Sequence, residues 1–179
     1  MDPFEIKDAL STFRVIADTR EQNTPRAKER FAALGEHQRA TLDYTDYCGQ
    51  ITLPTGELYD ITETIRPKCC IERKMSLDEL ASCFTRGRDR FRREFERATE
   101  AGADVWLLIE GGSWEAIDKH RYRSKYKENA FRASLIAWSI RYNLKVVFCK
   151  PETSGALIRE ILYREMKERL ENGYFEKQD

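Results

Sequence analysis

The chain has 179 residues, enough for one domain with a single mixed core. Its 31 basic and 31 acidic side chains cancel, which excludes coating of nucleic acid by bulk charge and requires any basic surface to be local. The five cysteines (Cys48, Cys69, Cys70, Cys83, Cys149) lack the paired spacing of a zinc site and suit a reducing compartment. The acidic start MDPFEIKDAL does not read as a leader peptide, and no apolar run is long enough to cross a bilayer.

Phe13 to Asp18 is rich in β-branched and aromatic residues and reads as a buried strand. Pro25 opens a short helix to Leu34, closed by Gly35. Apolar and polar residues roughly alternate from Gln38 to Leu53 and from Glu57 to Ile65, with Pro54-Thr55-Gly56 between them, which predicts a hairpin. Lys68 to Lys74 is a further strand. Ser76-Leu77-Asp78-Glu79 is a capping box for a long helix ending near Gly102, with Gly87 as a point of interruption. Asp104 to Glu110 is the clearest strand, ended by Gly111-Gly112. Phe131, Leu135, Trp138 and Tyr142 mark a helix from about Lys125 to Tyr142. Val146-Val147-Phe148 is a short strand, and the last helix runs from about Ser154 to Leu170 before a polar tail. Without repeat or linker, residues 1–179 are expected to form one α/β domain, core about 13–172, with a mixed sheet flanked by helices on both faces.

The informative segment is Cys69-Cys70-Ile71-Glu72-Arg73-Lys74. On a strand, Glu72 and Lys74 share a face, while Ile71 and Arg73 point the other way. A carboxylate and an ammonium side by side at a strand end suit metal-assisted hydrolysis, the acid holding a divalent cation and the lysine orienting water. Alone the triplet is weak, since a salt-bridged strand end has the same residues. Asp18 and Glu21 after the first strand and Asp46 in Tyr44-Thr45-Asp46-Tyr47 strengthen it, because acids at several strand ends can converge. Two or three suffice for magnesium. His37 and His120 lack ligand spacing.

Val15-Ile16-Ala17-Asp18-Thr19-Arg20-Glu21, Thr45-Asp46-Tyr47, and Ile71-Glu72-Arg73-Lys74 with Asp78 four residues on resemble the nuclease domain of the XPF family. That family belongs to the PD-(D/E)xK superfamily, cuts branched DNA and includes archaeal Hef. Gly87-Arg88 and Leu107-Leu108-Ile109-Glu110-Gly111 agree with it. The resemblance implies a restriction-endonuclease-like fold and a Mg2+- or Mn2+-dependent endodeoxyribonuclease acting on branched or flap-bearing DNA in repair or recombination. It implies Asp18, Asp46 and Glu72 as metal ligands and Lys74 as the water-orienting base, with Arg20 and Glu21 completing the site and Arg73 and Asp78 supporting it. Two departures stand out: Thr45 replaces the family's glycine, and the stretch from Asp46 to Glu72 is long. The helix-hairpin-helix module that often follows this domain is not found in these residues, so duplex grip is expected from this domain or a separate partner. A bacterial or phage-encoded cytoplasmic protein fits such a lone domain. The alternatives are a catalytically silent DNA-binding scaffold, a Holliday-junction resolvase and a recombination exonuclease.

Two basic segments are candidate DNA contacts: Arg88 in the run 86–93, and Arg121, Arg123 and Lys125 in the run 119–127, where tyrosines interleave with cations as if to stack on splayed bases. The bland reading of 86–97 is a solvated helix face, its arginines alternating with Glu94 and Glu96. Leu157, Ile158, Ile161, Leu162, Met166 and Leu170 form an apolar stripe, and with the preceding helix they predict a homodimer through the C-terminal helices, a region through which XPF-family nuclease domains also pair.

Overall fold

A computed structural model of the chain describes residues 1–22, 24–59 and 69–172. In chain order its elements are α1 (Pro3–Ser11), β1 (Arg14–Asp18), α2 (Pro25–Leu34), β2 (His37–Ala40), β3 (Tyr47–Thr52), β4 (Leu58–Tyr59), β5 (Cys69–Lys74), α3 (Leu77–Phe84), α4 (Arg88–Glu100), β6 (Asp104–Glu110), α5 (Trp114–Asp118), α6 (Glu128–Arg141), β7 (Lys145–Cys149) and α7 (Pro151–Glu171). The sheet order is β2-β1-β3-β5-β6-β7, with β4 paired to β3. β3 runs antiparallel to β1 and β5, whereas β1–β2, β5–β6 and β6–β7 pair in parallel. The ends of β1, β5 and β6 and the start of β3 therefore meet at one edge of the sheet. Open α/β sheets bind ligands outside such carboxyl ends.

Strand alternation sorts the interior into two layers. Ile16, Cys48, Cys70, Leu107 and Ile109 face α3, α4 and α6, where Phe84, Phe95, Phe131 and Trp138 pack edge to face and Phe91 stacks on Trp138. Val15, Ala17, Tyr47, Ile71 and Leu108 face α1, α2 and α7. At the α2–α7 crossing, Gly155 lets the helices touch: a Cβ there would lie 2.4 Å from the Arg30 carbonyl oxygen.

The predicted strand from Gln38 to Leu53 divides. His37–Ala40 forms the edge strand beside β1, and the chain reverses before Tyr47 at Thr45, whose φ of 60° is left-handed. The hairpin turn stands: Leu53 N donates to the Glu57 carbonyl, and Ile51 pairs with Tyr59. Its outer part, to Ile65, lies outside the described residues. The long helix after Ser76 breaks in two, Gly87 N donating to the Ser82 carbonyl between α3 and α4. α1, capped by Asp2 with Glu5 reaching back, and α5 are additional elements.

The stripe on α7 turns inward. Ile158, Ile161, Leu162, Met166 and Leu170 are buried against the chain's own sheet and α1. That surface therefore does not supply the expected dimer contact, although Ile136 and Ile140 on α6 are exposed.

Candidate active site

Asp46 is clamped between two strands. Its backbone N–H donates to the Ile71 carbonyl, its carbonyl accepts from Asp18 N, and its Oδ2 accepts from Arg73 N at 2.8 Å. It thus reaches the cleft on the face that also carries Glu72 and Lys74. Both of those are almost fully buried, and they are ion-paired to each other. Phe91 of α4 roofs the pair, with Lys74 Nζ 4.8 Å from its ring centre.

The electrostatics of this cluster are lopsided. Burial raises the Glu72 carboxyl well above the usual range, and the neighbouring Asp46 charge adds to the effect against Lys74. Depth in the cleft pushes Asp46 up to about 7, Glu21 and Glu94 adding to it against the pull of Lys74. Glu72 Oε2 is buried without a hydrogen-bond partner. Two adjacent acids, one with an orphaned oxygen, lack positive charge. Two carboxylates leave room for water and phosphate oxygens, so the donor set fits a magnesium-like cation. Among the described residues, no three His, Cys, Asp or Glu side chains gather as ligands.

One strand residue away the balance is opposite. Arg73 faces the other layer, its guanidinium 3.2 Å from Glu21 and 3.3 Å from Glu110. Arg30 of α2 binds Glu21 at 2.6 Å, donates to the Tyr47 hydroxyl at 2.8 Å and approaches Glu110 at 3.7 Å. Burial would raise the Glu21 carboxyl, but Arg73, Arg30 and the Tyr47 hydroxyl together hold it below its ordinary value. Glu21 lines the cleft, yet its charge is already neutralised.

Asp18 does not line the cleft. Its two oxygens accept a fork from Arg20 at 2.8 and 2.9 Å and further bonds from the Arg20 and Leu42 amides. Burial acts to raise its carboxyl, but these partners hold it low. The structure thus separates Asp18 from the Asp46–Glu72 pair and makes it the brace of Arg20, which does line the cleft. Asp78 also lies apart, its carboxylate accepting from Arg123 N and Ser124 N.

The cleft, about 430 Å3, is walled further by Arg26, Glu79, Cys83, Arg90 and Glu94, none of which was singled out as a site residue from sequence. Arg90, Phe91 and Glu94 sit at helical spacing on α4, a signal hidden within the charge pattern of the 86–97 run. Arg30 carried no such signal. Arg88 packs its guanidinium 5.4 Å from the Trp138 ring centre and donates to the Phe84 carbonyl, tying α4 to α3. Arg123 and Lys125 line a second, shallower depression, and Arg121 is exposed beside it. Tyr122 and Tyr126 are not free to stack: both rings pack on Phe131, and their hydroxyls bond the Tyr126 carbonyl and Ser134.

The ERCC4 domain family model matches residues 17–160. The fold is similar to XPF from Aeropyrum pernix, with a TM-score of 0.61 and 19% identity over 90% of this chain and 69% of that one. A structure of XPF from Aeropyrum pernix in complex with DNA gives 0.58 and 22%, over 87% of this chain and 65% of that one. The chain therefore spans about two thirds of those proteins' chains, and at these identities the likeness concerns the fold. No curated protein sequence matches. Among the described residues no helix is long and apolar enough to cross a membrane.

Proposed function

From the chain's membership of the ERCC4 domain family, we propose that it is a metal-dependent DNA endonuclease that hydrolyses phosphodiester bonds in branched or flap-bearing DNA. The observation that carries this reading is the under-neutralised pair Asp46 and Glu72, with the orphaned Glu72 Oε2, beside Lys74 at the floor of an open cleft. Asp46 and Glu72 would hold magnesium or manganese. When bound, such an ion supplies the charge that activates water and offsets the charge developing on the phosphate.

The chain's own side chains divide the remaining work. Lys74 Nζ orients the attacking water. Arg20, kept in place by Asp18, and Arg90 of α4 hold the non-bridging phosphate oxygens. Glu21, Arg30, Arg73 and Glu110 fix the strand ends behind them. Arg121, Arg123 and Lys125 grip DNA away from the chemistry. A DNA complex of the structurally similar Aeropyrum XPF supports the substrate class, and a role in repair or recombination follows from branched substrates. A homodimer remains part of the reading, its contact transferred from α7 to the exposed Ile136 and Ile140 of α6.

The test is a panel of labelled flaps, forks, four-way junctions and plain duplex, incubated with magnesium, with manganese and with excess chelator. Metal-dependent internal cuts at flaps or forks are expected. Cutting confined to junctions or to ends would replace the reading by a resolvase or an exonuclease, and binding without cutting by a silent scaffold. Cleavage undiminished by chelator would remove the metal mechanism.

A further inference from the structure

The segment 119–127 alternates in exposure. Lys119, Arg121, Arg123, Lys125 and Lys127 are exposed, while His120, Tyr122, Ser124 and Tyr126 are half-buried. Beneath the cations the segment is fastened at several points. His120 stacks on Tyr122 at 4.2 Å, its Nε2 lies 2.9 Å from the Ser124 carbonyl, and the two tyrosines pack on Phe131 of α6. His120 Nδ1 also pairs with Glu128, and the Arg121 amide donates to the Ala116 carbonyl. From α3, Asp78 in the first turn accepts Arg123 N at 2.8 Å and Ser124 N at 2.7 Å, both on Oδ1. Arg123 Nε lies 3.5 Å from the other oxygen, but the arginine side chain is 94% exposed and free to reach outward.

Beside this segment lies a depression walled by Asp78, Ser82, Thr85, Arg86, Arg123 and Lys125. Ser82 also lines the catalytic cleft, so the two adjoin across α3. The three cations and the small polar side chains of Ser82 and Thr85 form a surface for phosphate oxygens, and the one acid in its wall already has its better oxygen engaged with backbone N–H groups. α3 starts three residues after Lys74, so whatever Asp78 holds is set in fixed register with the catalytic strand.

We propose that Asp78 is a positioning residue: it takes no part in holding the metal but fixes 119–127 as a phosphate grip, through Arg123, Lys125 and Arg86, for the nucleic-acid strand entering the cleft. The proposal rests on the nuclease reading above and assigns the aspartate that follows Glu72-Arg73-Lys74 to binding instead of chemistry. The geometry separates the two roles, because both backbone bonds fall on one oxygen. An asparagine can supply that oxygen, and an alanine cannot. A metal ligand would tolerate neither.

The experiment measures affinity for a labelled flap DNA in chelator across a salt series, and single-turnover cleavage with magnesium at saturating DNA. It uses Asp78→Ala, Asp78→Asn and Arg123→Ala, each checked for folding by thermal melting. Asp78→Ala is expected to weaken binding about tenfold and to flatten the salt slope by about one to two units, as for one or two lost phosphate contacts. Its saturated rate should stay within about threefold of the wild type, as expected of a binding contact. Asp78→Asn should bind like the wild type. Arg123→Ala, which leaves Asp78 in place, should share the weaker binding and the flatter slope. Loss of the saturated rate in Asp78→Asn with binding intact would overturn the proposal, as would wild-type affinity and slope in both Asp78→Ala and Arg123→Ala. A wild-type chain that binds flap DNA but cuts nothing would overturn the nuclease reading and leave the grip standing. One that binds no DNA would remove both.

Discussion

Two acid clusters lie back to back at the same sheet edge, separated by a single step along β5, and they are electrostatic opposites. On the Ile71 side, Glu21 and Glu110 are met by Arg30 and Arg73, and Glu21 is held below its ordinary pKa. On the Cys70 side, Lys74 is ion-paired to Glu72 and Arg20 acts on Asp46 from farther off, yet both carboxyls are raised. Burial raises the carboxyls on both sides, more deeply on the Cys70 side, and only on the Ile71 side do arginines outweigh it. A buried acid that has its arginines is scaffold, whereas one kept short of them is poised for a cation. Proximity to the cleft does not make that distinction, because Glu21 and Glu110 line it too.

The largest effect should come from the under-neutralised side. Glu72→Gln and Lys74→Ala are each expected to lower single-turnover cleavage by at least about 100-fold while leaving the far-ultraviolet circular dichroism unchanged, since a positioned acid–base or charge-stabilising group contributes on that scale. Robust cleavage by Glu72→Gln would break the comparison at once, because it would make the raised pair incidental.

The arginine-rich side should answer in stability. Arg30→Ala removes one of the two arginines that Glu21 and Glu110 share, and the donor to the Tyr47 hydroxyl. A loss of about 3 kcal/mol in urea unfolding is expected, at the low end for a broken buried pair because Arg73 remains. The same cluster sets an acid limb. Because the folded pKa of Glu21 is depressed, its stabilisation is fully present above its ordinary value near 4.5 and is lost as the pH falls through the lower folded value. Glu21→Gln should therefore flatten the decline of the urea midpoint below pH 4.5. A decline as steep as in the wild type would mean that the arginines neutralise less than their geometry implies.

A smaller loss should follow from Gly155→Ala. The added Cβ would stand 2.4 Å from the Arg30 carbonyl oxygen and 2.8 Å from Ala33 Cβ, so α2 must retreat and carry Arg30 with it. Overpacking of this kind costs about 1–3 kcal/mol. If Arg30 governs the arginine-rich cluster, the Gly155→Ala loss should shrink in an Arg30→Ala background. Strict additivity in that double-mutant cycle would separate the helix contact from the charge network.

The sequence displayed the open half of this comparison better than the closed half. Period-two alternation alone put Glu72 and Lys74 on one face and Arg73 on the other, and the strand ends announced where Asp46 and Glu21 would gather. Arg30 was invisible because its role depends on how closely α2 approaches α7, which a glycine 125 residues away decides. Asp18 read as a ligand since nothing in a linear pattern shows that Arg20, two residues on, folds back to take both its oxygens. The tyrosines of 119–127 looked like stacking platforms because composition does not reveal which side of a segment is fastened. The stripe on α7 was legible as apolar, but its partner, the chain's own sheet in place of a second copy, was a tertiary fact. Nor did the alternation from Gln38 to Leu53 reveal the reversal inside it.

That reversal turns on Thr45, which delivers Asp46 to the open cluster, and it makes the finest prediction. A β-branched residue at φ 60° is strained by about 1–3 kcal/mol. Thr45 is also fully buried. Replacing it by alanine keeps the Cβ, and with it most of the left-handed penalty, while removing packed atoms, so a net loss of about 1–2 kcal/mol is expected. Replacing it by glycine also loses the packing and adds about 0.5–1 kcal/mol of unfolded-state freedom, but it releases the strain, and the net change should stay within about 1 kcal/mol. The usual order, in which alanine is tolerated better than glycine at a buried site, should invert. Urea midpoints of the two variants decide it: a Thr45→Ala protein as stable as Thr45→Gly, or more so, would mean that the turn before Asp46 is not held left-handed in solution. Asp46 would then lose the backbone clamp between β1 and β5 that sets it apart from the neutralised acids behind it.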